Sequence, residues 1–249
     1  MSEPVVELTE VGPGIVQIKM QDKVNKNTFS KELTDGLIDA FETIKHSPQY
    51  KVVIFTGYDS YFASGGTQEA LLYLSEGKGK FSDKDLYSLA LNCPIPVISA
   101  MQGHGIGGGF VMGLFADFVI LTRESIYTTN FMKYGFTPGM GATFILPQKL
   151  GISLSQEMML SAKTYRGEEL QTRGIPFPVL PRENVMEYAF ELAATIAEKP
   201  RVSLVTLKDH LVAHLREGLP KVIAQEVVMH EKTFHQPEVK ERIEAFFGK

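Results

Sequence analysis

Five glycines fall within the seven residues from Gly103 to Gly109, in the run Gln102-Gly103-His104-Gly105-Ile106-Gly107-Gly108-Gly109. The preceding Pro96-Val97-Ile98-Ser99-Ala100-Met101 reads as a buried strand, and Phe110-Val111-Met112-Gly113-Leu114-Phe115-Ala116 as the body of a buried helix. Glycine bends freely and lets a ligand approach its backbone N–H. The first N–H groups of a helix lack internal partners and carry partial positive charge. A strand feeding glycines into a helix start is therefore a place to hold an anion, either a phosphate or a thioester oxyanion. No Gly-Lys-Ser/Thr completes a P-loop here. Gly103-His104-Gly105-Ile106-Gly107-Gly108 satisfies G-x-G-x-x-G, but it lies near mid-chain, with no well-placed acid about 20 residues on. An isolated glycine run is also consistent with a tight turn and close helix packing.

A second run shifts that balance. The strand Lys51-Val52-Val53-Ile54-Phe55-Thr56 leads into a loop ending Phe62-Ala63-Ser64-Gly65-Gly66-Thr67-Gln68. Two glycine turns after two buried strands can grip one oxygen from two sides. Side chains able to work beside such a grip are few. Lys78 and Lys80 lie in Glu76-Gly77-Lys78-Gly79-Lys80-Phe81, which otherwise reads as a solvated loop; Phe81 favours Lys80 as the inward one. His230 shares an apolar helix face with Ile223, Val227 and Phe234, where burial favours neutral imidazole. By periodicity alone it reads as a hydrogen-bonded core histidine. His104 reads as a turn residue that can instead reach the site. His210 and His214 stand at i, i+4 without a third ligand, so no metal site is expected.

The elements that must carry these residues follow from patterning. Val5–Val11 and Ile15–Met20 alternate around Gly12-Pro13-Gly14, a hairpin signal. Leu33, Leu37, Phe41 and Ile44 repeat at helical spacing after a candidate N-cap, Ser30. Residues 51–56, 96–101 and 118–122 read as strands, and strands alternating with helices argue for an α/β core. From about Ser153 the strand signal disappears. Helices are expected at 183–198, 202–217, 221–235 and 238–247, broken by Pro200 and by Gly218-Leu219-Pro220. With 249 residues, 44% hydrophobic and 22% charged, the chain can bury a full core. A net charge of −4 gives no argument for nucleic acid or a membrane surface. No apolar run reaches membrane-span length, and the N-terminus carries no signal-peptide pattern. The single cysteine, Cys93, reads as a small buried hydrophobe; it rules out an internal disulfide and suits the cytoplasm.

The two glycine segments resemble the crotonase (enoyl-CoA hydratase/isomerase) superfamily. So do Ala116-Asp117-Phe118-Val119-Ile120 and Gly135-Phe136-Thr137-Pro138-Gly139-Met140-Gly141-Ala142. The resemblance spans essentially the whole chain. It implies a spiral of β-β-α units over residues 1–195, and C-terminal helices over 196–249 that carry His230 and build a trimer or a dimer of trimers, all in one structural unit. It implies an oxyanion hole of two backbone N–H groups, which by position are Ser64 and Gly108.

Hydratases of that superfamily use two glutamates for acid–base work on water. The matching positions here are Val111 and Phe131, neither able to move a proton. Hydration is therefore not expected, and both residues are expected to line an apolar pocket. An enolate can also form by loss of carbon dioxide, which needs a cation for the carboxylate and an acid for the carbanion. Lys80 (or Lys78) and His230 (or His104) are the candidates. The chain resembles the decarboxylating member of the β-branching cassette of bacterial polyketide synthesis, which uses a lysine and a C-terminal-helix histidine. That resemblance implies decarboxylation of 3-methylglutaconyl thioester to 3-methylcrotonyl thioester on the phosphopantetheine of an acyl carrier protein, without cofactor or metal. An enoyl thioester isomerase and a non-catalytic acyl-binding scaffold remain the alternatives.

Overall fold

A computed structural model describes residues 3–247. The chain opens with the expected hairpin, β1 (Val6–Gly12) and β2 (Ile15–Met20), with a register shift between Glu10 and Gly12. The Ser30 hydroxyl caps α1 (Lys31–Lys45) by accepting the Leu33 N–H at 3.2 Å, and Leu33, Leu37, Phe41 and Ile44 lie on the buried face. A strand–strand–helix unit then recurs. β3 (Val52–Thr56) and β4 (Tyr61–Ala63) lead into α2 (Gln68–Ser75), followed by a 3-10 turn at Phe81–Asp83 and α3 (Leu89–Asn92). β5 (Val97–Met101) and β6 (His104–Ile106) lead into α4 (Gly108–Leu114). β7 (Phe118–Thr122) and β8 (Ile126–Thr128) lead through a 3-10 turn, Asn130–Tyr134, to α5 (Ala142–Leu150) and α6 (Ile152–Ser161).

Two more strands, β9 (Tyr165–Arg166) and β10 (Val179–Leu180), flank α7 (Gly167–Thr172) and complete two sheets. One runs β1-β2-β3-β5-β7-β10 and the other β4-β6-β8-β9. The first strand of each unit joins the larger sheet and the second joins the smaller, which is the spiral the resemblance implies. Every pairing from β2 to β10 in the larger sheet is parallel. Such strands are covered on both faces, which explains why every residue of β3 and β5 is buried and nearly all are apolar. Alternate residues serve opposite faces: Val52 and Ile54 pack toward α8 (Arg182–Ala197), while Val53 and Phe55 belong to the main core with α1 and α4.

The C-terminal region departs from the sequence reading in two ways. The helices expected at 202–217 and 221–235 are one helix, α9 (Arg201–Thr233), running through Pro220. A mid-helix proline costs on the order of 3 kcal/mol. Tertiary packing offsets it, because Leu219 is buried in the main core against Gly141 and Gly218 lies against Phe144. Strand structure also continues beyond Ser153, in β9 and β10, each too short to show a periodic pattern. Helix α10 (Pro237–Phe246) closes the described chain. Val212, Leu219, Phe234, Val239 and Ile243 join the same core cluster as Val16 and Phe55, so the terminal helices share the core of the spiral.

Candidate active site

The two glycine segments meet at the start of α4. Gly107 occupies the N-cap with φ of +55° and ψ of −126°, a conformation open to glycine. Gly109 lies so close to the Ala63 carbonyl that a Cβ would overlap it. A Cβ on Gly65 would fall 3.3 Å from the Gly108 nitrogen. The backbones of both turns are thus in contact, and Ser64, Gly65, Gly66, Gly107 and Gly108 line one cavity of about 410 Å³.

The donor expected on the first turn is corrected. The Ser64 N–H donates to the Asn27 carbonyl at 3.1 Å, and the Ser64 hydroxyl donates to the Lys26 carbonyl at 2.6 Å. Asn27, itself fully buried, ties this turn down by donating to Met20 O and Phe62 O at 3.1 and 2.9 Å. Gly65 is engaged by a parallel bridge to Thr28. The Gly66 N–H has no acceptor among the described residues. Gly108 is the first residue of α4, where the helix offers its N–H no acceptor. The sequence held the right pair of segments. It could not show that Asn27, far from Ser64 in the sequence, takes the Ser64 donor.

Opposite these groups, the cavity wall is largely aromatic: Phe29, Tyr73, Phe81, Phe131, Tyr134, Phe136, Phe234 and Phe247. Phe131 lines the cavity as expected, packing edge-on to Phe136 at 6.0 Å. Val111 does not. It sits one turn into α4, fully buried in the main core, because that turn directs its side chain away from the cavity.

Lys80 reaches the cavity wall, and its ammonium pairs with Glu231 Oε1 at 2.8 Å. That partner raises the lysine pKa, and Lys80 lowers that of Glu231 in return. Lys78 pairs instead with Glu76 at 2.7 Å and is not on the wall of the main cavity, lining an adjoining one of about 300 Å³. Two charged residues that the sequence did not single out also line the main cavity. Asp83 accepts the Lys80 N–H at 2.8 Å, and Lys84 pairs with Asp35 at 2.8 Å.

His230 projects from α9 into both cavities, caged by Phe81, Phe234 and Phe136 at ring distances of 4.8, 5.0 and 5.7 Å. Its Nε2 is buried and makes no hydrogen bond. Burial pushes the imidazole pKa down to about 4, opposed by a hydrogen bond to the Thr137 backbone. An empty site therefore holds a neutral ring at pH 7. His104 is not on the cavity wall. It begins β6 rather than a turn, and its Nδ1 accepts the Ile126 N–H at 3.1 Å.

The comparisons with known proteins agree with this geometry. The family described as Enoyl-CoA hydratase/isomerase matches residues 10–249. The chain is 68% identical to the bacillaene synthase decarboxylase PksI of Bacillus subtilis (strain 168), over 100% of both chains. A solved structure from a dehydratase/decarboxylase enzyme couple involved in polyketide beta-branching superposes with a TM-score of 0.98 at 68% identity, covering 98% of this chain and 100% of that one. The ECH2 decarboxylase domain of CurF from Lyngbya majuscula superposes with a TM-score of 0.94 at 48% identity, again covering 98% and 100%. By sequence and by fold, the chain belongs to the enoyl-CoA hydratase/isomerase family.

Proposed function

We propose that this enzyme is a decarboxylase of polyketide β-branching. It removes carbon dioxide from a 3-methylglutaconyl thioester carried on an acyl carrier protein, leaving the 3-methylcrotonyl thioester. The observation that carries this reading is the content of the cavity: two free backbone N–H groups, two lysines, of which Lys80 adjoins His230, and one unpartnered imidazole nitrogen within aromatic walls. Among the described residues the wall carries one carboxylate, Asp83, whose Oδ2 accepts the Lys80 N–H.

Each group has a step in this chemistry. The ammonium of Lys80 exchanges Glu231 for the substrate carboxylate. Breaking the carbon–carboxyl bond sends its electron pair through the double bond into the thioester carbonyl. The N–H groups of Gly66 and Gly108 stabilise that oxygen as it becomes an oxyanion. His230 then protonates the γ-carbon. Its low pKa in the empty site fits this order, because an arriving carboxylate raises the proton affinity of the ring. The imidazole is thus charged together with substrate binding and discharged by catalysis. The aromatic walls exclude water, which strengthens the oxyanion contacts. No metal or redox group is required.

A groove of about 540 Å³ adjoins the cavity on the Ser64 side, sharing Ser64, Asn130, Tyr134 and Phe247 with it. Lys26 and Lys133 line it and no acidic side chain does, which suits a phosphodiester-bearing arm. Exposed Val202, Leu207 and Leu211 on α9 support a subunit interface, as a homotrimer or a dimer of trimers. No described helix is long and apolar enough to cross a membrane; a cytoplasmic location completes the reading.

The test is to incubate carrier-linked 3-methylglutaconate with the protein and follow the mass of the acyl group. Loss of carbon dioxide is expected. Double-bond movement without mass loss would replace this reading with the isomerase, and an unchanged acyl group would leave the binding scaffold.

A further inference from the structure

Glu226 lies one helical turn before His230 on α9 and is fully buried. Its carboxylate accepts the Gly141 N–H at 2.7 Å, the Thr143 N–H at 2.9 Å and the Thr143 hydroxyl at 2.6 Å. These donors belong to the start of α5, whose own N-cap residue, Gly141, has no side chain to supply. Helix α9 therefore caps α5 from outside. No side chain fits at position 141, where φ is +76° and a Cβ would lie 2.8 Å from the Phe115 ring and 2.9 Å from Leu219, so the cap has to come from another element, and its coming from α9 calls for a reason.

The segment between the two helices supplies one. Thr137 is pinned to α9 at its other end, its N–H donating to Thr233 Oγ1 at 3.2 Å and the two hydroxyls meeting at 3.1 Å. Glu226, His230 and Thr233 stand at i, i+4 and i+7, one face of α9 gripping one loop. That loop touches both ends of the reaction. A Cβ on Gly139 would lie 2.8 Å from His230 Nε2, and the Met140 thioether fills the space a Cβ on Gly108 would need. Met140 is held there at a φ of +61°, which costs a side-chain-bearing residue energy and has to be enforced by its surroundings.

The geometry points to Glu226 as a positioning residue for decarboxylation: its carboxylate fixes the 137–141 loop, and with it the separation between the His230 ring and the Gly108 N–H. The inference rests on the reading of His230 as the proton donor. In the dienolate both the α- and the γ-carbon can accept a proton, so the position of the ring relative to the held oxygen selects between them. Loosening the loop should slow protonation and blur that selection, while leaving the carboxylate's contact with Lys80 intact.

The experiment compares Glu226→Gln and Thr143→Val in the full-length protein, on the carrier-linked acid. Glu226→Gln keeps the shape but turns an amide N–H₂ toward a backbone donor. We expect kcat about ten- to a hundredfold lower, the scale of a small misplacement, with KM unchanged and a larger share of β,γ-unsaturated product. Thr143→Val removes one of the three contacts and should move both readouts the same way by less. A residue that merely stabilises the fold would lower Tm and leave kcat per folded enzyme and product composition alone; that result in both variants overturns the proposal. If Glu226→Gln does not fold, Thr143→Val decides it on the same two readouts. His230→Ala run in parallel separates the layers. Full activity there removes the proton-donor reading, whereas a slow His230→Ala with normal Glu226→Gln and Thr143→Val removes only this inference.

Discussion

The site has two halves built on different principles. On the reading proposed above, the oxyanion side is backbone, made by two glycine turns of the spiral and locked by the buried Asn27. The side proposed for the carboxylate is side chain, made by Lys80 from a connecting loop and His230 from a terminal helix. The first half depends on the path of the backbone, which a side-chain substitution changes little. The second half can change by substitution while the first stays. Electrostatics sharpen the contrast. Lys80 is half exposed and holds an ion pair that solvent can screen, whereas His230 is desolvated to the point of neutrality.

Breaking each half should give a distinct signature. The largest effect is expected at His230. His230→Ala should slow turnover by about 10²–10⁴-fold, the worth of a positioned acid, with substrate binding near normal; steady-state kinetics read both. Removing a backbone donor comes next. Gly108→Pro and Gly66→Pro, each checked for fold by circular dichroism, should lower kcat by about 10²–10³-fold. Normal turnover in folded Gly66→Pro would return the donor role to another group on that turn. Lys80→Ala should raise KM for the acid about tenfold, the low end for a hydrogen bond to a charged group because the side chain is half exposed. Binding of the decarboxylated product should not change.

The smallest effect is on stability. The His230 pKa in the folded protein, about 4, lies below its ordinary 6.5, so the unfolded chain binds that proton more tightly. The associated stability is whole above about pH 6.5 and declines as pH falls toward about 4. Urea unfolding of wild type and His230→Phe should therefore show wild type losing about 2 kcal/mol relative to the variant between about pH 7 and pH 4.5. A constant difference would mean that the ring is more hydrated than its cage of Phe81, Phe136 and Phe234 indicates.

The spiral was readable because its signals are local. Continuous apolar strands, the Ser30 cap and the glycine turns each announce themselves within a few residues. The helical half was read less well because tertiary contacts overrode local rules, as when packing around Leu219 carried α9 through Pro220. The site followed the same division. The two glycine segments, Lys80 and His230 could be picked out. Which N–H was free could not, since it depended on Asn27 reaching Ser64 across the fold. Val111 was placed on the cavity wall because it occupies the position of an acid in related enzymes; its side chain instead faces the core. Glu226 gave no sequence signal, because a lone glutamate on a long helix reads as a solvated one.

The most direct test of the central claim, that an oxyanion-held dienolate is protonated by His230, is to run the carrier-linked acid in deuterium oxide and locate the label. The account predicts one deuterium at the γ-carbon of each wild-type product, with that selectivity lost in His230→Ala. Deuterium at the α-carbon in the wild type, or the same γ-label at the same rate in His230→Ala, would contradict it.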